Sequence, residues 1–176
     1  MSYPATAFRC REARLVDASA MTRIYNEGIE DRTATFETRP RDPSEIAAWF
    51  DGSHPIVVVE SEPDGVVGFA AASSYRQREA YSGIAEFSVY VVRHARGRGV
   101  GRAAMLALIA AAERRGFWKL VSRVFVDNEA SRHLLTSVGF REVGLYRRHA
   151  RLEGAWRDVI IVERLLGEAA VDAPDA

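Results

Sequence analysis

One cysteine, Cys10, among 176 residues excludes any disulfide within the chain, which agrees with a reducing compartment. Net charge is missing too, because 24 Lys plus Arg balance 24 Asp plus Glu. Without a surplus of positive charge there is no broad basic face, so no nucleic-acid partner is expected. The most apolar stretch, Ala103–Ala112, is ten residues long, and a helix needs about 20 to span a bilayer, so no membrane partner is expected either. The opening MSYPATAFRC lacks the basic-then-apolar order of a secretory signal, so a cytoplasmic protein is expected. His54, His94 and His149 are scattered without metal-ligand spacing, so no metal is expected. No repeat, low-complexity linker or composition break appears. The reading is one domain over residues 1–166, with loose ends at 1–7 and 167–176.

What is present is 48% hydrophobic residues, enough for a core in a chain of this length. Phe8–Leu15 is read as a first strand. A helix capped by Asp17 then carries Met21, Ile24, Tyr25 and Ile29 on one face. Ser44–Phe50 is read as a second helix with Pro43 at its start. Ile56–Glu60 and Val66–Ala72 are strands joined by the turn SEPDG. Glu86–Val92 is a central strand, Ala103–Arg115 a long helix stopped by Gly116, and Leu120–Val126 a strand. Asn128–Ser137 is a helix stopped by Gly139, and Phe140–Tyr146 with Trp156–Glu163 make a closing antiparallel pair.

The most informative segment lies between the central strand and the long helix: Arg96, Gly97, Arg98, Gly99, Val100, Gly101, Arg102. Glycines let a backbone approach an anion, free N–H groups at a helix start point toward it, and arginines suit phosphate oxygens. The dinucleotide fingerprint would need a glycine where Arg102 stands, and the nucleoside-triphosphate loop a Gly-Lys-Ser/Thr ending that is absent. The chemistry is that of a pyrophosphate cradle.

This arrangement resembles the acetyl-CoA site of the GNAT superfamily of N-acetyltransferases, whose Gln/Arg-x-x-Gly-x-Gly/Ala motif is matched by Arg96, Gly99 and Gly101. The resemblance runs over roughly residues 8–166. IYNEGIEDRTATFETRP at 24–40, AYSGIAEFSVYV at 80–91, NEAS at 128–131 and GAWRDV at 154–159 make it closer to the branch that acetylates phosphinothricin, methionine sulfoximine and arsinothricin. It implies an α/β (mixed α+β) fold, with a mixed central sheet of about seven strands and about four helices, splayed between the fourth and fifth strands to hold acetyl-CoA. Cofactor contacts are then expected at Val89, Tyr90 and Val91, whose backbone would pair with the pantetheine arm, and at Gly97, Arg98, Gly99, Val100, Gly101 and Arg102. Asn128, a helix cap in its own right, and Ser137 are expected to touch the cofactor arm.

Acetyl transfer to an amine needs a proton acceptor, a polarised carbonyl and two reactants held together. Glu86, a carboxylate between Ala85 and Phe87, is the expected base. Arg76, Gln77, Arg78 and Tyr81 form a polar connection suited to a substrate with two oxyacid groups. The resemblance adds Phe36 and Thr33 as pocket walls. Glu27 is either on the substrate side or an exposed helix residue. Many superfamily members carry a tyrosine four residues before the Gly139-Phe140 pair as acid to the leaving thiolate; here that residue is Leu135. His133, about 200° around the helix from it, is read as pointing away. The implied substrate is a small amino acid or glutamate analogue acetylated on its α-amino group by direct transfer, and the implied assembly is a homodimer with Trp156 as a candidate contact. A protein N-terminus, a polyamine, or a non-catalytic acyl-CoA sensor are the alternatives.

Overall fold

The computed structural model describes residues 8–171; of the ends expected to be loose, 1–7 and 172–176 lie outside them. Seven strands form one sheet in the order β1-β2-β3-β4-β5-β7-β6. They are β1 (Arg9–Glu12), β2 (Ile56–Ser61), β3 (Gly65–Ser74), β4 (Ile84–Val91), β5 (Lys119–Phe125), β6 (Arg141–Leu152) and β7 (Ala155–Leu165). Helices α1 (Ala18–Asp31) and α2 (Pro43–Ala47) lie between β1 and β2, α3 (Val100–Arg114) between β4 and β5, and α4 (Glu129–Ser137) between β5 and β6. A single helical turn, α5 (Glu168–Val171), makes five helices rather than about four, and it falls in the stretch after Leu166 expected to be loose.

Residues alternate between the faces of a strand, and β4 shows what covers each. Tyr90 packs edge-on against Tyr25 of α1 at 4.8 Å between ring centres. Its neighbour Val91 points the other way, toward Gly101 of α3. Helices α1 and α3 therefore cover opposite faces. The core is continuous through β2, β3, β4 and both helices, with Met21, Ile24, Val58, Val59, Phe69, Met105 and Leu108 fully enclosed.

Asp17 stands at the N-cap position of α1, but its side chain makes no capping hydrogen bond to the helix. A short 3-10 turn, Leu15–Asp17, precedes the helix, and the buried Asp17 carboxylate instead accepts the Arg14 N–H at 2.7 Å and both terminal nitrogens of Arg11 at 2.7 and 2.9 Å. Arg11 also holds Glu60 on β2 at 2.6 Å. The Arg11 guanidinium, against the opposing effect of burial, keeps the Asp17 carboxyl below the usual carboxylate range.

The β6–β7 hairpin is longer than its sequence pattern suggests. Pairing continues from Tyr146–Val159 past an irregularity to Ala150–Arg157 and closes at Glu153-Gly154, both with positive φ (50° and 82°). The irregularity is a bulge at residues 147–149, with Arg148 at φ 48° and its N–H held by Asp158 Oδ1 at 2.6 Å. An alternation-based reading stops at such a bulge because it breaks the period of two.

Candidate active site

The sheet forks between β4 and β5. These strands are parallel and pair only at Ile84–Lys119, Ala85–Leu120 and Glu86–Val121, whereas β3 and β4 pair over seven consecutive positions, Gly68–Val91 to Ser74–Ala85. Beyond Glu86 the two strands diverge around a cleft of about 580 Å³. Along β4 the backbone groups of alternate residues face alternate neighbours. The Gly83 carbonyl accepts from Trp118 on the β5 side, the Phe87 carbonyl from Ser122 Oγ at 2.9 Å and the Val91 carbonyl from Arg96 Nε at 3.0 Å. The Val92 N–H turns to Val67 on the β3 side. Val89 therefore directs its N–H and carbonyl into the cleft, while Tyr90 spends its backbone on β3. Of the expected triplet Val89-Tyr90-Val91, all border the cleft, but only Val89 and Val91 offer backbone there. The buried Tyr90 ring packs on Tyr25 and Phe69, and burial pushes its phenol far above the usual tyrosine range.

At the cleft's mouth stands the start of α3. Gly99 is its N-cap in the left-handed region (φ 89°), and no heavy atom lies within 4 Å of where a Cβ at Gly97 or Gly99 would sit. That space adjoins the free N–H groups of the helix start, the arrangement that receives anions. At Gly101 the space is tighter: a Cβ there would stand 3.0 Å from the Leu134 side chain of α4, which would have to shift by a few tenths of an ångström. Gly97, Gly99, Gly101 and Arg102 border the cleft, and Arg98 and Val100 do not. Val100 is in the core, so it can offer only backbone, while Arg98 is exposed. Arg96 also borders the cleft, but its guanidinium is paired there, with Nη1 2.6 Å from Asp31 Oδ2. Burial raises the Asp31 carboxyl, but Arg96 and Arg93 more than offset it and leave it below the usual range.

Helix α4 forms the opposite wall. Asn128 accepts the Ser131 N–H with its side-chain oxygen at 3.1 Å, capping the helix, and donates its side-chain N–H to the Thr33 carbonyl at 3.0 Å. Much of its amide is thus committed within the protein, and one N–H remains for a ligand. Ser137 borders the cleft and donates to the Leu134 carbonyl at 2.7 Å. His133 does not turn away. It lines the cleft together with Leu135, because α4 presents an arc that runs from one to the other.

A second cavity, of about 390 Å³, lies on the other side of the fork. Glu86 lines it, with Phe36 and Glu37 from the segment after α1, Arg123 from β5 and His149 from the β6 bulge. Ala34, Phe87, Ser88, Ser122, Arg123 and Phe125 border both cavities. Glu86 Oε1 is 2.7 Å from Arg123 Nη1, with side-chain exposures of 31% and 40%. Such an exposed pair contributes only ~0–1 kcal/mol, so it can open. Phe36 meets Phe125 edge-on at 4.8 Å and closes one wall.

Several expected substrate residues lie elsewhere. Thr33 borders the first cleft rather than the second cavity. Glu27 accepts the Arg93 N–H at 2.8 Å, fastening α1 to the chain after β4, and borders neither cavity. Arg76, Gln77, Arg78 and Tyr81 also border neither. Their connection packs on itself, with Tyr75 against Tyr81 and under Arg76. Arg123 and His149 escaped the sequence reading. The available signal for Arg123 was a lone charge inside the apolar strand LVSRVFV; for His149, placement by a bulge left none.

A forked mixed sheet with a glycine-bearing helix start at the fork defines an acyl-CoA-dependent N-acyltransferase. The chain matches the Acetyltransferase (GNAT) family over residues 21–140 and belongs to it. It is 33% identical to the phosphinothricin N-acetyltransferase of Streptomyces coelicolor over 156 residues, 85% of this chain and 91% of that one. It is 31% identical to the L-methionine sulfoximine/L-methionine sulfone acetyltransferase of Pseudomonas paraeruginosa, over 87% of this chain and 91% of that one. The crystal structure of a phosphinothricin acetyltransferase from Sinorhizobium meliloti in complex with acetyl-CoA superposes with a TM-score of 0.86 at 31% identity, over 96% and 93% of the two chains. The protein is an acetyltransferase with acetyl-CoA as its co-substrate.

Proposed function

We propose that this enzyme acetylates the α-amino group of a small amino acid or glutamate analogue bearing a second oxyacid or similarly oxygenated group, of the phosphinothricin, methionine sulfoximine or arsinothricin kind. The observation that carries this reading is the position of Glu86. It is the last paired residue of β4 at the fork, facing the second cavity, while the residues just beyond it line the first cleft. A carboxylate there can take the proton of an amine held in the second cavity, directly or through water. Bound acetyl-CoA supplies the activated acetyl group. The α3 start, with Gly97, Gly99 and Arg102, would receive its pyrophosphate, and Val89 its pantetheine arm as an added strand would be received. The shared walls Ser88, Ser122 and Phe125 would hold both reactants together, which supports direct transfer in a ternary complex. Arg76 and Arg78 would reach the substrate's outer acid group from a connection that begins just after β3, whose Ser73 pairs with Glu86.

A cytoplasmic homodimer is part of the same reading. Val143, Leu145, Tyr146 and Trp156, all 41–50% exposed on the β6–β7 hairpin, support a second copy against that edge. The test is a CoA-thiol release assay across L-phosphinothricin, L-methionine sulfoximine, L-methionine sulfone, a polyamine and a peptide N-terminus. Release is expected with the oxygenated amino acids. A preference for the polyamine or the peptide would replace the amino-acid reading, and binding of acetyl-CoA without release would point to a sensor.

A further inference from the structure

We propose that Arg123 anchors the α-carboxylate of the acceptor, and that its ion pair with Glu86 opens to admit the amino acid. This rests on the amino-acid reading above. The two charges of an α-amino acid hang from one carbon, so the groups that recognise them must also be adjacent. Glu86 and Arg123 meet that condition, with 2.7 Å between Oε1 and Nη1, and both line the second cavity. The other charged groups around that cavity suit the task less well. Glu37 has the wrong sign and is 2.6 Å from Arg41, and His149 sits on the β6 bulge, stacked near Tyr146.

Among the described residues, the Arg123 side chain is hydrogen-bonded to Glu86 alone. Its partial exposure makes the pair easy to break. An arriving zwitterion offers each partner a replacement. Its carboxylate takes the guanidinium, which binds carboxylates with two parallel N–H bonds, and its ammonium takes the Glu86 oxygen that Arg123 vacates. The proton that must leave the amine is thereby pointed at the Glu86 carboxylate by the same exchange that binds the substrate, and passes to it when the N–H bond breaks. An amine without a carboxylate has nothing to draw Arg123 away, so discrimination against simple amines arises inside the pocket.

The test compares L-methionine sulfone with its decarboxylated counterpart, 3-(methylsulfonyl)propylamine, in the wild type, Arg123→Gln and Arg123→Lys. Arg123→Gln is expected to raise KM for the amino acid by about ten- to a hundred-fold, with a much smaller change for the amine, and Arg123→Lys to recover part of the loss. Calorimetric affinity of L-methionine sulfone for the CoA-loaded protein should fall in parallel. An unchanged amino-acid KM in Arg123→Gln overturns the anchor. An equal fall in kcat for both compounds at constant KM also overturns it, and assigns Arg123 to positioning Glu86. A wild type that acetylates no amino acid overturns the parent reading instead, and is recognised without any variant.

Discussion

The two cavities at the fork are built from different materials. The cleft proposed to hold acetyl-CoA is largely a backbone structure, made of a diverging strand, a glycine-lined helix start and the flank of α4. The second cavity is made of side chains from segments far apart in sequence, at 34–37, 86–88, 122, 123, 125 and 149–150. A backbone site recognises what every acetyl-CoA has in common. A side-chain site can be changed residue by residue, and in the proposed function this is where one acceptor is told from another. The difference also shows in packing. β4, which borders the first cleft at Phe87 to Val91, has no exposed residue, whereas β6, which carries His149, is exposed along most of its length.

This contrast predicts that damage to one cavity spares the other. The largest effect is expected from Glu86→Gln, with kcat falling ~10²–10⁴-fold as the general base is lost. Acetyl-CoA affinity by calorimetry should stay near the wild-type value; full activity with an unaltered pH profile would mean that another group takes the proton.

Gly99→Glu should do the reverse. It forces a side chain into φ 89° and sets a carboxylate where the pyrophosphate would lie, so affinity for acetyl-CoA should drop by roughly a hundred-fold or more. Unchanged affinity would remove the cradle from α3.

A third variant leaves both cavities alone. Asp17→Asn breaks the Arg11 pair that ties β1 and β2 to the start of α1, and should cost about 2–3 kcal/mol in denaturant unfolding, with KM for both substrates retained. Because the Asp17 carboxyl is held below its ordinary range, its contribution is complete above about pH 4, the unfolded-state value. It is lost as the pH falls through the lower folded-state value. The variant should therefore lose less stability on acidification than the wild type.

The smallest effect is expected from Arg78→Ala, about a ten-fold rise in KM for a substrate with a second oxyacid group. The residue is exposed and borders neither cavity. A KM equal to that of the wild type would confine acceptor recognition to the second cavity's own side chains.

How much could be read from the chain follows the same division. The glycine-bearing helix start was legible because its parts are contiguous: strand, Gly97 to Arg102, helix. The seven strands and the four longer helical segments were visible in their periodicities, and Glu86 stood out as a carboxylate among apolar neighbours. The remainder of the second cavity was not legible. Arg123 reaches Glu86 only because β5 lies parallel to β4 for three residues, and the bulge that presents His149 breaks the alternation by which strands are recognised. Glu27, read as a substrate contact or an exposed helix residue, and Arg96, read as part of the phosphate-binding run, are each held by a partner that folding brings to them, and the Asp17 carboxylate is held by Arg11 instead of capping α1. Local patterns of glycine, charge and apolar spacing determined the elements and the anion-binding loop, because backbone conformation responds to near neighbours. The fork, the pairing of Glu86 with Arg123 and the second cavity were decided by tertiary structure, because they depend on where strands distant in sequence stop touching.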